Sequence, residues 1–200
     1  DEASADACVV ACPPDPQDGG HRGDGRLRAV SDELGDSGID CLRFDYGAWD
    51  GGRGEREDAL RAVAWAGERY DRVGLFGYSF GGAIALSAAA RGADVVAVAA
   101  LAPPARLGPA RDDADAPPNG GGGVDTVADL VSIPDSIPIG IFYGTRDTVA
   151  TVGPVVTVAR ERGAATCEFD SDHLFIGRER QVATAIVDFL APALHAEESR

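Results

Sequence analysis

Lysine is missing from all 200 residues, and each of the 18 basic side chains is an arginine. That absence removes phosphate-loop nucleotide hydrolases, protein kinases and Schiff-base enzymes, whose chemistry needs a lysine amine. Methionine is absent too, so the initiator is expected to be missing or trimmed. No apolar run approaches the roughly 20 residues of a membrane helix, and no charged-then-apolar leader opens the chain. The four cysteines, Cys8, Cys12, Cys41 and Cys167, show neither Cys-x-x-Cys spacing nor grouping with histidine. Zinc and redox sites are therefore not expected, and the thiols read as small buried apolar groups in a cytoplasmic protein.

Acidic residues number 33 and the net charge is −15. This sign argues against nucleic acid or an anionic membrane as partner. An acid-rich, lysine-free, aromatic-poor composition resembles that of proteins from salt-loving organisms, where screening offsets self-repulsion. The length fits one domain, residues 1–200, able to bury about 70% of its unfolded surface without disulfides or a metal.

Short β-branched runs alternate with longer helical patterns. Strands are expected at Ala7–Cys12, Ile39–Phe44, Arg72–Phe76, Asp94–Leu101, Pro138–Tyr143 and Ala165–Phe169. Helices are expected before Leu34 and at Glu55–Arg69, Phe80–Ala90, Val149–Arg162 and Arg180–Leu194. Six strands spaced by helices predict an α/β fold, a mostly parallel sheet covered on both faces. Residues 103–137 break the rhythm with Pro pairs, Asp112, Asp113, Asp115 and Gly120–Gly123, and read as a flexible lid-like insertion. The acidic residues there lack calcium-loop spacing and read as solvated. So short an insertion leaves no room for a folded cap of ordinary size.

Ligands of parallel sheets bind at the carboxyl ends of the strands. There the strand RVGLF runs into Gly77-Tyr78-Ser79-Phe80-Gly81-Gly82 and then an Ala-rich helix. G-x-S-x-G in a strand–turn–helix setting exposes a serine on a strained turn, with the Phe80 N–H at the helix N-terminus. A bare Gly-rich helix start is the bland alternative. The serine needs a base, and only three histidines exist. His195 sits in the charged tail and His21 precedes any plausible acid, whereas His173 follows a strand. Asp147, just past PIGIFY, is the expected acid between serine and histidine; Asp170 and Asp172 compete, and Asp125 and Asp129 are weaker.

With these residues in place the chain resembles the α/β-hydrolases, and within them a small, cap-poor branch related to dienelactone hydrolase and short-chain esterases. Arg43-Phe44-Asp45-Tyr46, Gly52-Arg53-Gly54-Glu55 with Asp58 and Trp65, the Ser79 motif, and Asp172-His173-Leu174-Phe175 with Gly177 carry the likeness over nearly the whole chain. The resemblance implies an α/β-hydrolase fold with a minimal cap and a Ser79–Asp147–His173 triad. It also implies hydrolysis of a small ester or thioester, with no cofactor and no metal. A serine peptidase of the same fold and an inactive scaffold are the alternatives. Two departures stand out. Members read His-Pro-His-Pro before two glycines where this chain has Pro13-Pro14-Asp15-Pro16 before Gly19-Gly20, and the fold's two leading antiparallel strands have no counterpart. Prolines lack an N–H, so only Asp15 within 13–16 can donate to an oxyanion, with Gln17 next in line. The resemblance selects Asp15, paired with Phe80.

Overall fold

The computed structural model describes residues 5–108 and 123–195. Six strands form one sheet: β1 (Ala7–Cys12), β2 (Asp40–Arg43), β3 (Arg72–Tyr78), β4 (Ala97–Leu101), β5 (Ile139–Gly144) and β6 (Ala165–Phe169). They lie in the order β2-β1-β3-β4-β5-β6, and every pairing is parallel. Parallel strands covered on both faces are apolar at every position, and β1 is buried along its whole length. Side chains still alternate between faces: Cys8, Val10 and Cys12 join one core, and Ala7, Val9 and Ala11 the other.

The first core is roofed by α2 (Arg53–Gly67), α3 (Phe80–Ala90), α4 (Thr126–Ser132) and α5 (Gly153–Glu161). The second is roofed by α1 (Gly25–Asp36) and α6 (Glu179–Leu194). Helix α3 is buried on nearly all sides, and its alanines let sheet, α2 and α4 close around it. Among the described residues, no helix is long and apolar enough to cross a membrane.

The chain runs from β1 outward to β2, then returns to β3 on the other side of β1. Neighbouring loops diverge at such a reversal and leave a crevice at the strands' carboxyl ends. Register places Cys12 opposite Gly77 and Tyr78 opposite Leu101, so the ends of β1, β3 and β4 share one edge.

Several boundaries shift by one or two residues, and three departures from the sequence expectation are larger. Helix α5 starts at Gly153, four residues late, because the Asp147 carboxylate accepts the Val149 and Ala150 N–H groups and holds a turn there. Strand β4 is shorter, starting at Ala97. The segment 103–137 is not loop throughout. Residues 126–132 form α4, capped by the Asp125 side chain on the Ala128 N–H, with Leu130 fully buried. Leu107 and Val124, also within 103–137, are buried too. Asp112, Asp113, Asp115 and Gly120–Gly122 lie outside the described residues. All four cysteines are free, and burial pushes Cys8 up to about 11 and Cys12 to about 12, which keeps both as thiols.

Candidate active site

The turn between β3 and α3 is sterically dictated. Ser79 has φ 54° and ψ −119°, a conformation that costs a non-glycine residue about 1–3 kcal/mol. A Cβ on Gly77 would overlap the Gly81 carbonyl, and one on Gly81 would overlap the Cys12 and Pro13 carbonyls. Only glycine at both positions lets strand, helix and the loop after β1 meet. The Ser79 N–H donates to Leu101 O at the end of β4, 2.8 Å away, which fixes the turn against the sheet. Phe80 opens α3, where the first N–H groups have no intrahelical acceptor and the helix dipole is positive.

His173 arrives from the loop after β6, and Asp147 from the turn after β5. His173 Nε2 lies 2.9 Å from Ser79 Oγ, and Nδ1 lies 2.7 Å from Asp147 Oδ2. The Asp147 side chain has no exposure and that of His173 only 7%, so the pair works in a dry setting. A carboxylate only accepts, so Nδ1 carries the proton and Nε2 is left to accept from the serine hydroxyl. The other Asp147 oxygen takes two backbone N–H groups at 2.9 Å each, leaving this buried carboxylate well satisfied.

Three further contacts hold the histidine loop. Gly144 has no room for a Cβ beside the Ser171 and Asp172 carbonyls, and Arg146 N donates to Ser171 O at 3.0 Å. Tyr78 donates its hydroxyl to the His173 carbonyl at 2.9 Å, and its ring lies 5.4 Å from the imidazole. Burial drives the Tyr78 phenol up to about 12, so it remains a donor throughout the neutral range. The Arg26 guanidinium covers the same ring, 4.5 Å from its centre. Sequence reading passed over Tyr78 because the motif leaves that position free and its partner lies 95 residues on.

The competing residues are engaged elsewhere. Asp170 pairs with Arg146, Asp172 caps the Leu174 N–H, and Asp125 pairs with Arg106. Asp129 lies within α4. His21 accepts the Gly23 N–H in its own loop, and His195 ends α6.

The loop after β1 presses against the start of α3. The Asp15 side chain accepts the Gln17 N–H at 2.8 Å, so that second candidate donor is already committed. The Asp15 carbonyl accepts from Asp18 and Gly20, and the Pro14 carbonyl faces Gly20 closely enough to bar a Cβ. With no cis peptide among the described residues, the Asp15 N–H points opposite the Pro14 carbonyl, away from Gly20. Burial, with Asp18 and Glu55 nearby, raises the Asp15 carboxyl pKa.

No family model and no curated protein matches the sequence. Solved structures do match its fold. A serine hydrolase without a lid from Xanthomonas campestris is 22% identical, covers 98% of this chain and 86% of its own, and superposes with a TM-score of 0.75. An esterase from Pyrococcus furiosus is 20% identical over 96% of this chain and 83% of its own, with a TM-score of 0.74. An α/β serine hydrolase homologue from Coxiella burnetii, 20% identical, covers 92% and 84% at a TM-score of 0.71.

Proposed function

We propose that this chain, which has the α/β-hydrolase fold, is a serine hydrolase that cleaves a small carboxylic ester or thioester through an acyl-enzyme. One observation carries the reading: a serine on a strained strand–helix turn lies 2.9 Å from an imidazole whose far nitrogen lies 2.7 Å from a buried carboxylate. The fold alone does not imply chemistry. This contact chain does, because it supplies a nucleophile, a base and a group that fixes the base.

Ser79 Oγ attacks the carbonyl carbon while His173 Nε2 takes its proton. The imidazolium that forms is stabilised by Asp147, whose carboxylate is already oriented by Val149 and Ala150. The oxyanion meets the N–H groups of Phe80 and Asp15, each such donor being worth about 10²–10³ in turnover. His173 then returns the proton to the departing alcohol or thiol, and water repeats the cycle on the acyl-enzyme.

Hydrolysis of p-nitrophenyl acetate and of an acyl thioester by purified variants tests the assignment. Ser79→Ala, Asp147→Asn and His173→Ala are each expected to cut kcat by about 10⁴ or more, without multiplying in combination. Near-full activity of Ser79→Ala would refute the mechanism.

A further inference from the structure

We propose that Trp49, backed by the buried ring of Phe80, forms the wall that receives the acyl part of the substrate, and that this wall selects a planar aromatic acyl group. The inference rests on the serine-hydrolase reading and adds a substrate class to it. Trp49 is 44% exposed, among the few large apolar side chains left in solvent. Its ring lies 5.4 Å from that of Phe80, tilted by 35°, and Phe80 adjoins the serine. Behind them Tyr46 packs edge-on against Phe80 at 5.8 Å, and Phe44 packs against Tyr46 at 5.3 Å. Trp49 is thus the open end of a four-ring chain whose second ring, Phe80, belongs to the residue after Ser79.

The segment bearing Trp49 is pinned on both sides. Asp58 accepts the Gly47 N–H at 2.9 Å, and the fully buried Glu55 accepts those of Asp50 and Gly52 at 2.9 and 2.8 Å. The Tyr46 hydroxyl also donates to the Pro13 carbonyl, tying this segment to the loop that carries Asp15. The backbone that presents the indole is thus preorganised, and with Phe80 against one side of the ring a ligand is taken up at low entropic cost.

Position in the sheet decides which part of the substrate meets it. The Trp49 segment follows β2, on the β1 side of the serine, whereas Asp147 and His173 follow β5 and β6 on the other side. The leaving alcohol must lie by His173 Nε2 to receive its proton, and the carbonyl oxygen must lie by the Phe80 and Asp15 N–H groups. The acyl substituent is what remains to face away from His173, toward Trp49. A flat ring offers the indole a stacked face that a puckered ring of equal size does not.

The test compares kcat/KM for methyl phenylacetate and methyl cyclohexylacetate, with benzyl acetate and cyclohexylmethyl acetate as the pair that varies the alcohol. Ratios within each pair cancel general effects on catalysis. Trp49→Ala is expected to lower the phenyl-to-cyclohexyl ratio of the acyl pair by about five- to tenfold. Trp49→Phe retains most of that ratio, and the alcohol pair is unaffected. An unchanged acyl ratio, or a fall confined to the alcohol pair, overturns the proposal. A binding measurement separates the wall from the chemistry. Trp65 lies on α2 beneath the Arg69 guanidinium, so Ser79→Ala with Trp65→Phe leaves Trp49 as the sole indole. Methyl phenylacetate should shift its emission saturably and methyl cyclohexylacetate more weakly; no such difference overturns the wall even where hydrolysis proceeds. A preference in emission with no hydrolysis of any ester supports the wall and refutes the hydrolase reading instead.

Discussion

Tyr78 shows how a residue outside the proposed triad holds its histidine. Its hydroxyl is the only part that touches the His173 carbonyl, while its ring packs under the imidazole and the Arg26 guanidinium. Tyr78→Phe keeps the ring and removes the donor, leaving a buried carbonyl short of a partner at a cost of about 1–3 kcal/mol. We expect a lower denaturant midpoint and a kcat reduced by about tenfold with KM little changed, since about 1.4 kcal/mol lost in the transition state is tenfold. Unaltered kcat and midpoint would show that the histidine loop needs no such tether. The contacts among Ser79, His173 and Asp147 could be anticipated from the sequence because Ser79 follows β3, Asp147 and His173 lie in the loops after β5 and β6, and the three occur in the chain order of the proposed triad. The roles of Tyr78 and Trp49 carry no comparable signal. They arise from contacts between distant segments, which a residue pattern does not encode.

The strand–turn–helix element is held by excluded volume more than by attraction. A methyl group on Gly81 meets two backbone carbonyls, Cys12 and Pro13, and neither can rotate away as a side chain would. Gly81→Ala must therefore push α3 off the loop that carries Asp15. Loss of one oxyanion donor predicts a kcat lower by about 10² or more, together with a lower melting temperature. Gly35 in α1 has open space around its Cβ position, so Gly35→Ala should leave activity intact and raise stability by about 0.5–1 kcal/mol. Equal effects of the two substitutions on kcat would remove the steric argument. At this level the alternation of strands and helices was readable, because each strand is a short apolar run bounded by polar turns. Helix α4 was not. Its seven residues adjoin a Gly-, Pro- and Asp-rich stretch, and its stability comes from burying Leu130 rather than from any periodic face.

Charge acts on the whole molecule. The 33 acidic side chains outnumber the 18 arginines, and exposed pairs such as Arg53 with Asp50 contribute little to stability. Repulsion among the remaining carboxylates therefore outweighs the ion pairs that salt would weaken. Screening shortens the Debye length from about 30 Å at 0.01 M to about 3 Å at 1 M. The thermal midpoint is accordingly expected to rise as sodium chloride goes from tens of millimolar to molar, read by calorimetry. A flat or falling midpoint would show that local ion pairs dominate over net charge. All of this leaves the chemistry untouched, and the most direct probe of that chemistry is covalent. Incubation with a fluorophosphonate, followed by intact mass and peptide mapping, should give one adduct, on Ser79. It should be absent from Ser79→Ala and form far more slowly on His173→Ala. A wild-type chain that stays unlabelled, or an adduct that persists without Ser79, would contradict the account.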